Sequence, residues 1–381
     1  MTKIKLLSVF GTRPEAAKMC PLVRELATRP QFESKVCVTA QHRQMLDQVM
    51  DAFGVTADFD LDIMRPSQTL TDITVRALPG LSAVIEEYQP HMVLVHGDTT
   101  TAFVAALAAF YAKIPVAHVE AGLRSFDPLS PYPEEMNRLL IDRLAAVLLA
   151  PTATNARNLR AEGLHNNIYI TGNTVIDGIA HTVRDDYIFE EPTLRDINFA
   201  NRKVITLTAH RRENYGEAME AICAAAADIA GDPEALIVYP VHLSPYVQET
   251  ARKHLENLGN VRLIPPVSVA DMHNLMARSR FIMTDSGGLQ EEGPALGKPV
   301  MVLRRETERP EAVEAGTVHM TGVDRDAIAA FARELLTEGE TYRRMARAVN
   351  PYGDGQASRR IADDLLFHFG LAENPAEDFG V

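Results

Sequence analysis

Three carboxylate side chains stand where a predicted strand ends or a predicted helix begins: Asp98, Glu120 and Glu134. Carboxylates can accept and release protons, so these residues are candidates for general acid/base catalysis. The chain also carries three cationic or glycine-rich turns, GTRPE at 11–15, HRREN at 210–214 and SGG at 286–288. Arginine, histidine and the free N–H groups of helix N-termini bind phosphates well. Together these residues predict acid/base chemistry on a molecule that carries a diphosphate.

Length and composition narrow the class of protein. A chain of 381 residues is too long for one ordinary core, which predicts two domains. The formal net charge of -13 would repel nucleic acid, so no nucleic-acid partner is expected. The three cysteines, Cys20, Cys37 and Cys223, are scattered and form no CxxC pair. They predict neither a disulfide framework nor a zinc site.

The N-terminal segment is not expected to act as a targeting signal. Its apolar stretch, residues 4–10, is too short for a signal peptide and is typical of a first β-strand. No apolar run approaches the length of a membrane span, so no membrane partner is expected. The expectation is a soluble, cytoplasmic protein.

Short aliphatic runs alternate with longer helical patterns along the chain. Runs such as residues 92–95 are apolar on both faces, which is typical of parallel strands buried between helix layers. The prediction is an α/β fold with two Rossmann-like domains that face each other across a cleft. The predicted strands are 4–9, 35–40, 92–96, 115–119, 146–150, 168–171, 203–208, 236–240, 261–264, 280–284, 300–303 and 317–320. Predicted helices include 14–28, 70–88, 99–112, 134–145, 216–230 and 325–337.

The predicted domains are residues 1–171, with the candidate carboxylates, and residues 172–355, with the nucleotide-binding turns. A final helical segment, 356–381, is expected to return to the first domain. In open parallel sheets, ligands bind beyond the carboxyl ends of the strands. The candidate residues fall at those ends, which supports this organisation.

The first turn, residues 11–15, follows the first strand directly. Gly11 permits a tight turn and Pro14 suits the first turn of a helix, which places Arg13 at a positive helix end. Lys18 lies one turn into that helix. These cations predict an anion site, with an ordinary strand-to-helix turn as the alternative. The chain has no GxGxxG or P-loop sequence, so nicotinamide and ATP chemistry lose support.

Each candidate carboxylate has a structural alternative. Asp98 follows a strand and could instead cap the next helix. Glu120 ends an apolar strand, where core packing explains a charged side chain poorly. Glu134 and Arg138 lie four residues apart on one helix face, so they could form a surface ion pair. The companion motifs of metallophosphatases and zinc deaminases are absent, which argues against a metal site.

A cluster of cations ends the first strand of the second half. His210, Arg211 and Arg212 stand side by side in an acidic protein, and a phosphate ligand is the physical reason for such a cluster.

The SGG turn leads from a later strand into a helix and consists of Ser286, Gly287 and Gly288. Glycine permits close backbone approach, and the free N–H groups of the helix could hold a pyrophosphate. Glu292, one turn further, could reach ribose hydroxyls. Arg309 adds another cation ahead of a helix.

Taken together, these motifs resemble the non-hydrolysing UDP-N-acetylglucosamine 2-epimerases over nearly the whole chain. The matching segments are GTRPE at 11–15, QHRQMLD at 41–47, VHGDTT at 95–100, HVEAGLR at 118–124, PEEMNR at 133–138, HRREN at 210–214, TDSGGLQEE at 284–292, ERPEA at 308–312 and NPYGDG at 350–355.

The resemblance implies a GT-B fold and the reversible interconversion of UDP-N-acetylglucosamine (UDP-GlcNAc) and UDP-N-acetylmannosamine (UDP-ManNAc) at C2. It implies no metal and no nicotinamide cofactor. The family's route eliminates UDP to leave a bound 2-acetamidoglucal, and UDP then adds back with a proton delivered to the other face. The product would supply ManNAc-type sugars for surface polysaccharide.

The same resemblance implies roles for individual residues. Asp98, Glu120 and Glu134 match the family's essential carboxylates, and His210 would favour departure of the anionic UDP. Met272 stands where relatives often place phenylalanine near the uracil, and Glu292 matches a ribose contact. The residues implied in substrate binding are Arg13, Lys18, Arg138, Arg211, Met272, Ser286, Gly287, Gly288, Glu292 and Arg309.

Regulation and assembly are further implications of the resemblance. Gln41, Gln44 and His242 match positions at which many relatives bind a second, activating UDP-GlcNAc. Ser67 departs from that pattern, since activated relatives often carry arginine there. Relatives are homodimers, which makes a homodimer the expected assembly.

The sequence alone leaves three alternative functions open. A GT-B glycosyltransferase would share the nucleotide-binding half but has less use for three carboxylates in the first domain. A nucleotide-sugar sensor would not need them at all. An epimerase of a modified UDP-GlcNAc-like sugar would carry the same motifs.

Overall fold

The computed structural model describes residues 3–39, 43–65, 68–307 and 309–380, and of residues 43–45 it describes the backbone alone. These residues form two compact units. One comprises Met1–His181 and Tyr352–Val381, and the other comprises Thr182–Pro351.

The first unit is built on a parallel sheet of seven strands. The strands are β1 Ile4–Phe10, β2 Phe32–Val38, β3 Phe59–Asp60, β4 Met92–His96, β5 Val116–Val119, β6 Val147–Ala150 and β7 Ile168–Ile170. Their order across the sheet is β3-β2-β1-β4-β5-β6-β7. Every residue of β4 is buried, as expected for a central parallel strand covered on both faces.

Helices connect these strands. They are α1 Arg13–Thr28, α2 Arg43–Phe53, α3 Leu70–Tyr88, α4 Thr100–Tyr111, α5 Glu134–Leu144, α6 Ala153–Ala161 and α7 Thr174–Thr182. Helix α1 begins with a capping box in which Thr12 and Glu15 satisfy each other's backbone N–H groups. Thr99 caps α4 by accepting the N–H of Ala102. The local sequence thus determines where both helices begin.

The second unit repeats the same design with six parallel strands. The strands are β8 Lys203–Thr208, β9 Ala235–Pro240, β10 Val261–Ile264, β11 Phe281–Thr284, β12 Val300–Val302 and β13 Val318–Met320. Their order is β10-β9-β8-β11-β12-β13. The helices are α8 Pro192–Arg195, α9 Glu217–Ile229, α10 Pro245–Leu255, α11 Val269–Arg278, α12 Gly287–Ala295, α13 Pro310–Glu314, α14 Arg325–Leu336 and α15 Glu340–Arg347, with a 3-10 turn at Arg212–Asn214.

The chain ends in helix α16, Ala357–His368, which belongs to the first unit and packs against α1. Asp177 on α7 accepts the backbone N–H groups of Ala357 and Ser358 at 3.2 and 2.7 Å, so a carboxylate satisfies the N-terminus of α16. The segment after α16 continues to β7, where the N–H of Phe379 donates to the carbonyl of Ile170 at 2.7 Å.

The prediction of an α/β fold with parallel sheets is confirmed. The two-residue strand β3 was not predicted, because Phe59–Asp60 is too short to give a pattern of its own. Among the helices of the described residues, none combines the length and the apolar character that crossing a membrane requires.

Candidate active site

The carboxyl ends of β4 and β5 form one edge of the first sheet, and two candidate carboxylates lie there. The N–H of Gly97 donates to the carbonyl of Val119 at 2.9 Å, which joins the two strand ends. Gly97 has a φ of +61°, a left-handed conformation that glycine adopts without strain. A Cβ atom at this position would lie 3.7 Å from Oε1 of Glu120. The residue before Asp98 is thus a neighbour of the Glu120 carboxylate.

Glu120 is buried and surrounded by polar partners. Its side chain forms an ion pair with Lys18, accepts a hydrogen bond from Nδ2 of Asn173 at 3.0 Å, and lies 3.5 Å from Nε2 of His96. Burial alone would raise the pKa of its carboxyl, but the charges of Lys18 and His96 outweigh burial and hold that pKa well below its usual value. Glu120 is also held in a left-handed conformation with a φ of +68°. Glu120 is therefore a fixed, ionised carboxylate.

Asp98 binds α5 and does not cap α4, the helix that follows it. Because Thr99 caps α4, the capping alternative for Asp98 is wrong. Oδ2 of Asp98 instead accepts a hydrogen bond from Nη2 of Arg138, and its backbone carbonyl accepts one from Nδ2 of Asn137 at 2.9 Å. Asp98 is thereby attached to the first turns of α5.

Glu134 is the first residue of α5 and does not pair with Arg138, so the alternative of a surface ion pair is also wrong. Arg138 contacts Asp98 and Glu135 instead, the latter at 3.3 Å. Oε2 of Glu134 is buried and has no hydrogen-bond partner among the described residues. A buried carboxylate oxygen without a partner is costly, which makes this oxygen a candidate for contact with a ligand.

The GTRPE turn places Arg13 as the first residue of α1. Glu15, which had no predicted role, organises this turn. Its Oε2 accepts the N–H groups of Gly11 and Thr12 at 3.0 and 2.8 Å, and its Oε1 accepts the hydroxyl of Thr99 at 2.7 Å. The helix N-terminus that carries Arg13 is therefore tied to the loop that follows Asp98.

A second buried network was not predicted. Nδ1 of His118 lies 2.6 Å from Oδ1 of Asp142, and Nε2 of His118 lies 2.7 Å from the carbonyl oxygen of Gly97. Arg124 binds the other oxygen of Asp142 at 2.6 Å and is itself bound by Glu162. The available sequence signal was a histidine two residues before Glu120 in the HVEAGLR motif, but the sequence alone did not identify Asp142 as its partner.

Glu135 is likewise a structural residue that the sequence analysis did not single out. It is buried, and it accepts the N–H groups of Ser125 and Phe126, both at 3.1 Å. It therefore closes the loop before α5, and it also pairs with Arg138.

In the second unit, Asp285 organises the HRREN turn. This aspartate is fully buried, and its Oδ2 accepts the N–H groups of His210 and Arg211, both at 2.8 Å, and Nδ2 of Asn214 at 3.1 Å. Asp285 stands directly before Ser286, so one buried carboxylate joins the two predicted phosphate-binding turns. Asp285 lies in the TDSGGLQEE motif but had no predicted role.

His210 stacks on His242, with ring centroids 5.3 Å apart and an angle of 15° between the planes. Burial lowers the pKa of His210, Asp285 opposes this effect, and the charges of His242 and Arg211 lower the pKa further. The side chain of His210 remains 38% exposed, so a ligand can reach it.

The SGG turn forms the N-terminus of α12. Ser286 is the N-cap residue, but its side chain makes no capping hydrogen bond, and Gly287 and Gly288 begin the helix. The first N–H groups of such a helix attract anions. Oε2 of Glu292 lies 3.3 Å from Nε2 of His273, whose Nδ1 lies 2.6 Å from the hydroxyl of Thr182. His273 was not predicted.

The remaining predicted residues lie as follows. Arg309 pairs with the buried Glu291, its Nε 2.5 Å from Oε1. Met272 is half-buried against an apolar cluster that includes Phe189. Gln41 lies outside the described residues, and for Gln44 the side chain does so.

The predicted residues thus form two groups, one in each unit. The first group lies at the edge formed by β1, β4 and β5 and consists of Arg13, Lys18, Asp98, Glu120, Glu134 and Arg138. The second group lies at the ends of β8, β9 and β11 and consists of His210, Arg211, His242, Ser286, Gly287 and Gly288, with Glu292 one turn further along α12.

Comparison with known proteins shows extensive similarity. The sequence profile of the UDP-N-acetylglucosamine 2-epimerase family matches residues 24–366. The UDP-N-acetylglucosamine 2-epimerase of Bacillus subtilis is 52% identical over 381 residues, covering 100% of this chain and 99% of that protein. A crystal structure of a UDP-N-acetylglucosamine 2-epimerase is 50% identical with a TM-score of 0.91 and full coverage of both chains. The Neisseria meningitidis enzyme bound to UDP-GlcNAc is 46% identical with a TM-score of 0.87, covering 96% of this chain and 100% of that chain.

The two parallel sheets and the close match to a solved epimerase structure define an α/β fold of the GT-B-like class, and the comparisons make the protein an isomerase. The family profile, which matches most of the chain, identifies the protein family. The chain belongs to the UDP-N-acetylglucosamine 2-epimerase family, as the sequence motifs predicted.

Proposed function

We propose that this protein epimerises UDP-GlcNAc reversibly at C2 to give UDP-ManNAc. The observation that carries the proposal is the contrast between two carboxylates of the first unit. Glu120 is held ionised by Lys18, whereas Glu134 has a buried oxygen without a partner among the described residues. Family membership and the UDP-GlcNAc bound to the Neisseria meningitidis relative support the choice of substrate.

The chemistry explains why cations and carboxylates are both needed. The hydrogen on C2 is not adjacent to a carbonyl group, so removing it directly is very difficult. If the C1–O bond breaks first, UDP leaves with the electron pair and positive charge develops at C1, which makes the C2 proton acidic. Its removal gives 2-acetamidoglucal. In the reverse steps a proton is added to C2 on the opposite face, and a diphosphate oxygen of UDP bonds to C1.

The cationic residues would stabilise the departing UDP. We assign Arg13, Arg211 and His210 to the diphosphate, together with the N-terminus of α12 at Ser286, because negative charge accumulates there as the C1–O bond breaks. Asp285 holds the N–H groups of His210 and Arg211, so the turn is organised before the substrate binds. Such preorganised charge is the main electrostatic means of lowering a barrier.

The carboxylates would handle the proton. Glu120, with its lowered pKa, is a weak base, and a weak base suffices once positive charge at C1 has made the C2 proton acidic. Asp98, paired with Arg138, and Glu134, with its open oxygen, are the other two candidates. One group would remove the proton on one face and another would return it on the other.

Exchange of hydrogen at C2 provides the direct test. The protein is incubated with UDP-GlcNAc alone in heavy water, and both sugars are analysed by NMR. Epimerisation places deuterium at C2 of UDP-GlcNAc and UDP-ManNAc. A glycosyltransferase without acceptor would leave C2 unlabelled, and a hydrolysing epimerase would release free ManNAc and UDP. A panel of modified UDP-sugars in the same assay would show whether one of them is the preferred substrate.

Two variants test the carboxylate assignment. Glu120→Gln and Asp98→Asn remove one charge each with little change in shape, and both should lose deuterium incorporation. If either variant keeps the rate of the wild-type protein, that residue has no part in the chemistry.

We also assign Lys18, Arg138, Met272, Glu292 and Arg309 to substrate binding on the basis of family resemblance.

The wider role follows from the same proposal. UDP-ManNAc formed by this reaction would supply transferases that build ManNAc-type sugars into surface polysaccharide, and the active form would be a homodimer. A second UDP-GlcNAc at Gln41, Gln44 and His242 would act as an activator. His242 stacks on His210, the proposed diphosphate ligand, within the second unit. A hyperbolic rate curve with UDP-GlcNAc, and turnover of UDP-ManNAc without added UDP-GlcNAc, would argue against such activation.

A further inference from the structure

One buried network joins the strand that leads to Glu120 and the helix that begins at Glu134. His118 and Asp142 are both fully buried, and their side chains are joined at 2.6 Å. His118 lies on β5, two residues before Glu120. Asp142 lies on α5, the helix that begins at Glu134.

The second ring nitrogen of His118 extends the network to Asp98. Nε2 lies 2.7 Å from the carbonyl oxygen of Gly97, and the N–H of Gly97 donates to Val119 at 2.9 Å. The backbone N–H and the backbone carbonyl of Gly97 are therefore both bound by residues of β5. Glycine has wide backbone freedom, and Gly97 adopts a left-handed conformation. These two hydrogen bonds therefore determine the direction in which the next residue, Asp98, leaves the strand.

The same network sets the rotation of α5. Glu134, Arg138 and Asp142 are spaced by four residues, so they lie along one face of the helix. When Asp142 is held by His118, that face is directed towards the ends of β4 and β5, and Arg138 reaches Asp98. Rotation of α5 would break the contact between Arg138 and Asp98 and would move Glu134 as well.

The second carboxylate oxygen of Asp142 is also bound, by Arg124 and Gly122. Its Oδ2 accepts hydrogen bonds from Nη2 of Arg124 at 2.6 Å and from the N–H of Gly122 at 3.3 Å. Arg124 in turn binds both oxygens of Glu162. Although burial would raise the pKa of Asp142, His118 and Arg124 lower it, so the ionised form is favoured. Asp142 therefore has no remaining oxygen for a substrate.

We propose that His118 and Asp142 are positioning residues, which hold the Gly97–Asp98 turn and helix α5 in the arrangement that the C2 chemistry requires. Neither residue is accessible, so neither touches the sugar. The inference rests on the proposed epimerase function, because it concerns the same three carboxylates. It extends that function by assigning a positioning role to buried residues that take no direct part in the proton transfers.

The variant Asp142→Asn tests the inference, because it keeps the shape and removes the charge. Small displacements of reacting groups can cost about 10²-fold in rate, so kcat should fall by about this factor while KM for UDP-GlcNAc stays within about 3-fold. Backbone amides of residues 96–99 should exchange faster with deuterated solvent than in the wild-type protein. A merely structural loss would instead lower the amount of folded protein without separating kcat from KM.

Asp364→Asn is the matched control. Asp364 is another buried carboxylate of the first unit, but it lies on α16 and contacts the backbone N–H of Ala376 rather than the candidate site. Its kcat and the exchange of residues 96–99 should equal those of the wild-type protein. An equal fall of kcat in both variants would overturn the inference, because general destabilisation would then account for the loss.

A milder variant keeps the test decisive if Asp142→Asn does not fold. Glu162→Gln weakens the ion pair between Glu162 and Arg124, which lies one contact further from the candidate carboxylates. This variant should lower kcat by about 3-fold or more and speed the amide exchange of residues 96–99. Unchanged kcat and unchanged exchange in folded variants would overturn the inference. If the wild-type protein incorporates no deuterium at C2, the proposed function fails, and the exchange measurement still tests whether the network holds the turn.

Discussion

Lys18 on α1 forms an ion pair with Glu120, which follows β5 and is 102 residues away in the chain. The pair brings a cation from the GTRPE helix to a buried carboxylate at the carboxyl end of β5. Its electrostatic consequence is that Glu120 stays ionised despite its burial. The relationship gives Lys18 a second role beside the predicted one in substrate binding.

Replacing Lys18 should therefore change the pH dependence of the reaction. Because Lys18 lowers the pKa of Glu120, Lys18→Met should raise that pKa, and the acid-side loss of kcat/KM should move to higher pH. The measurement is kcat/KM for UDP-GlcNAc as a function of pH. Lys18→Arg keeps the positive charge and should keep the acid limb close to that of the wild-type protein. Coinciding acid limbs for Lys18→Met and Lys18→Arg would rule out this role.

Glu134 and Glu135 are adjacent in sequence but should respond to substitution in opposite ways. Glu134→Gln should lower kcat by about 10²-fold or more, while the midpoint of thermal unfolding is unchanged or higher, because Oε2 has no hydrogen bond to lose among the described residues.

Glu135→Gln provides the comparison for Glu134. Glu135 binds two backbone N–H groups and Arg138, so this variant should lower the midpoint of thermal unfolding. Calorimetry and the deuterium assay on both variants check the pair. A stable Glu134→Gln protein with full activity would remove Glu134 from the chemistry.

Asp285 should matter for both stability and nucleotide binding in the second unit. Asp285→Ala leaves the N–H groups of His210 and Arg211 and the amide of Asn214 without their acceptor, which should lower the free energy of unfolding by about 2 kcal/mol or more. Affinity for UDP should fall by about 10-fold or more, because the HRREN turn loses its organisation. Urea unfolding and calorimetric titration with UDP measure the two effects.

Asp228→Ala is the control for Asp285. Asp228 pairs with Arg325 at the surface of the same unit, and exposed ion pairs contribute little, so stability and UDP affinity should change little. If Asp285→Ala loses stability but binds UDP as the wild-type protein does, Asp285 supports the fold and not the site.

The raised pKa of Asp364, in the first unit, should make the stability of the protein depend on pH. Burial raises the pKa of Asp364 to about 7, from a usual value of 3.8. Between these values the folded chain holds a proton that the unfolded chain has released, so this group makes the free energy of unfolding fall as pH rises.

Asp364→Asn removes this effect and keeps an acceptor for Ala376. Relative to the wild-type protein, the variant should gain stability from about pH 4 to 7, by at most about 1.4 kcal/mol for each pH unit. Urea unfolding at several pH values measures the difference. Parallel curves for the two proteins would show that Asp364 titrates normally.

Much of the fold could be predicted because the signals are local. The twelve predicted strands correspond to β1, β2 and β4–β13, since a parallel strand buried on both faces is a recognisable aliphatic run. Helix starts were also accessible, as the Thr12 and Glu15 capping box shows. The short strand β3 has too few residues to produce a pattern.

The candidate residues were found by type and motif, but their partners were not. Asp98 was thought able to cap α4, yet Thr99 does so and Asp98 binds Arg138, 40 residues away. Asp285 lies in the TDSGGLQEE motif without a predicted role, although it organises a turn 75 residues earlier. Pairings of this kind depend on where strands lie in the sheet, which the spacing of residues does not reveal.

By itself, the sequence determined the α/β fold class, the family and the residue types available for chemistry, because each of these depends on local patterns and motifs. The tertiary structure alone decided which charges meet. Lys18 keeps Glu120 ionised, Arg138 binds Asp98 rather than Glu134, and His118 joins β5 to α5 through Asp142. The physical reason is that the electrostatic state of a buried group depends on neighbours that the chain brings together from distant positions.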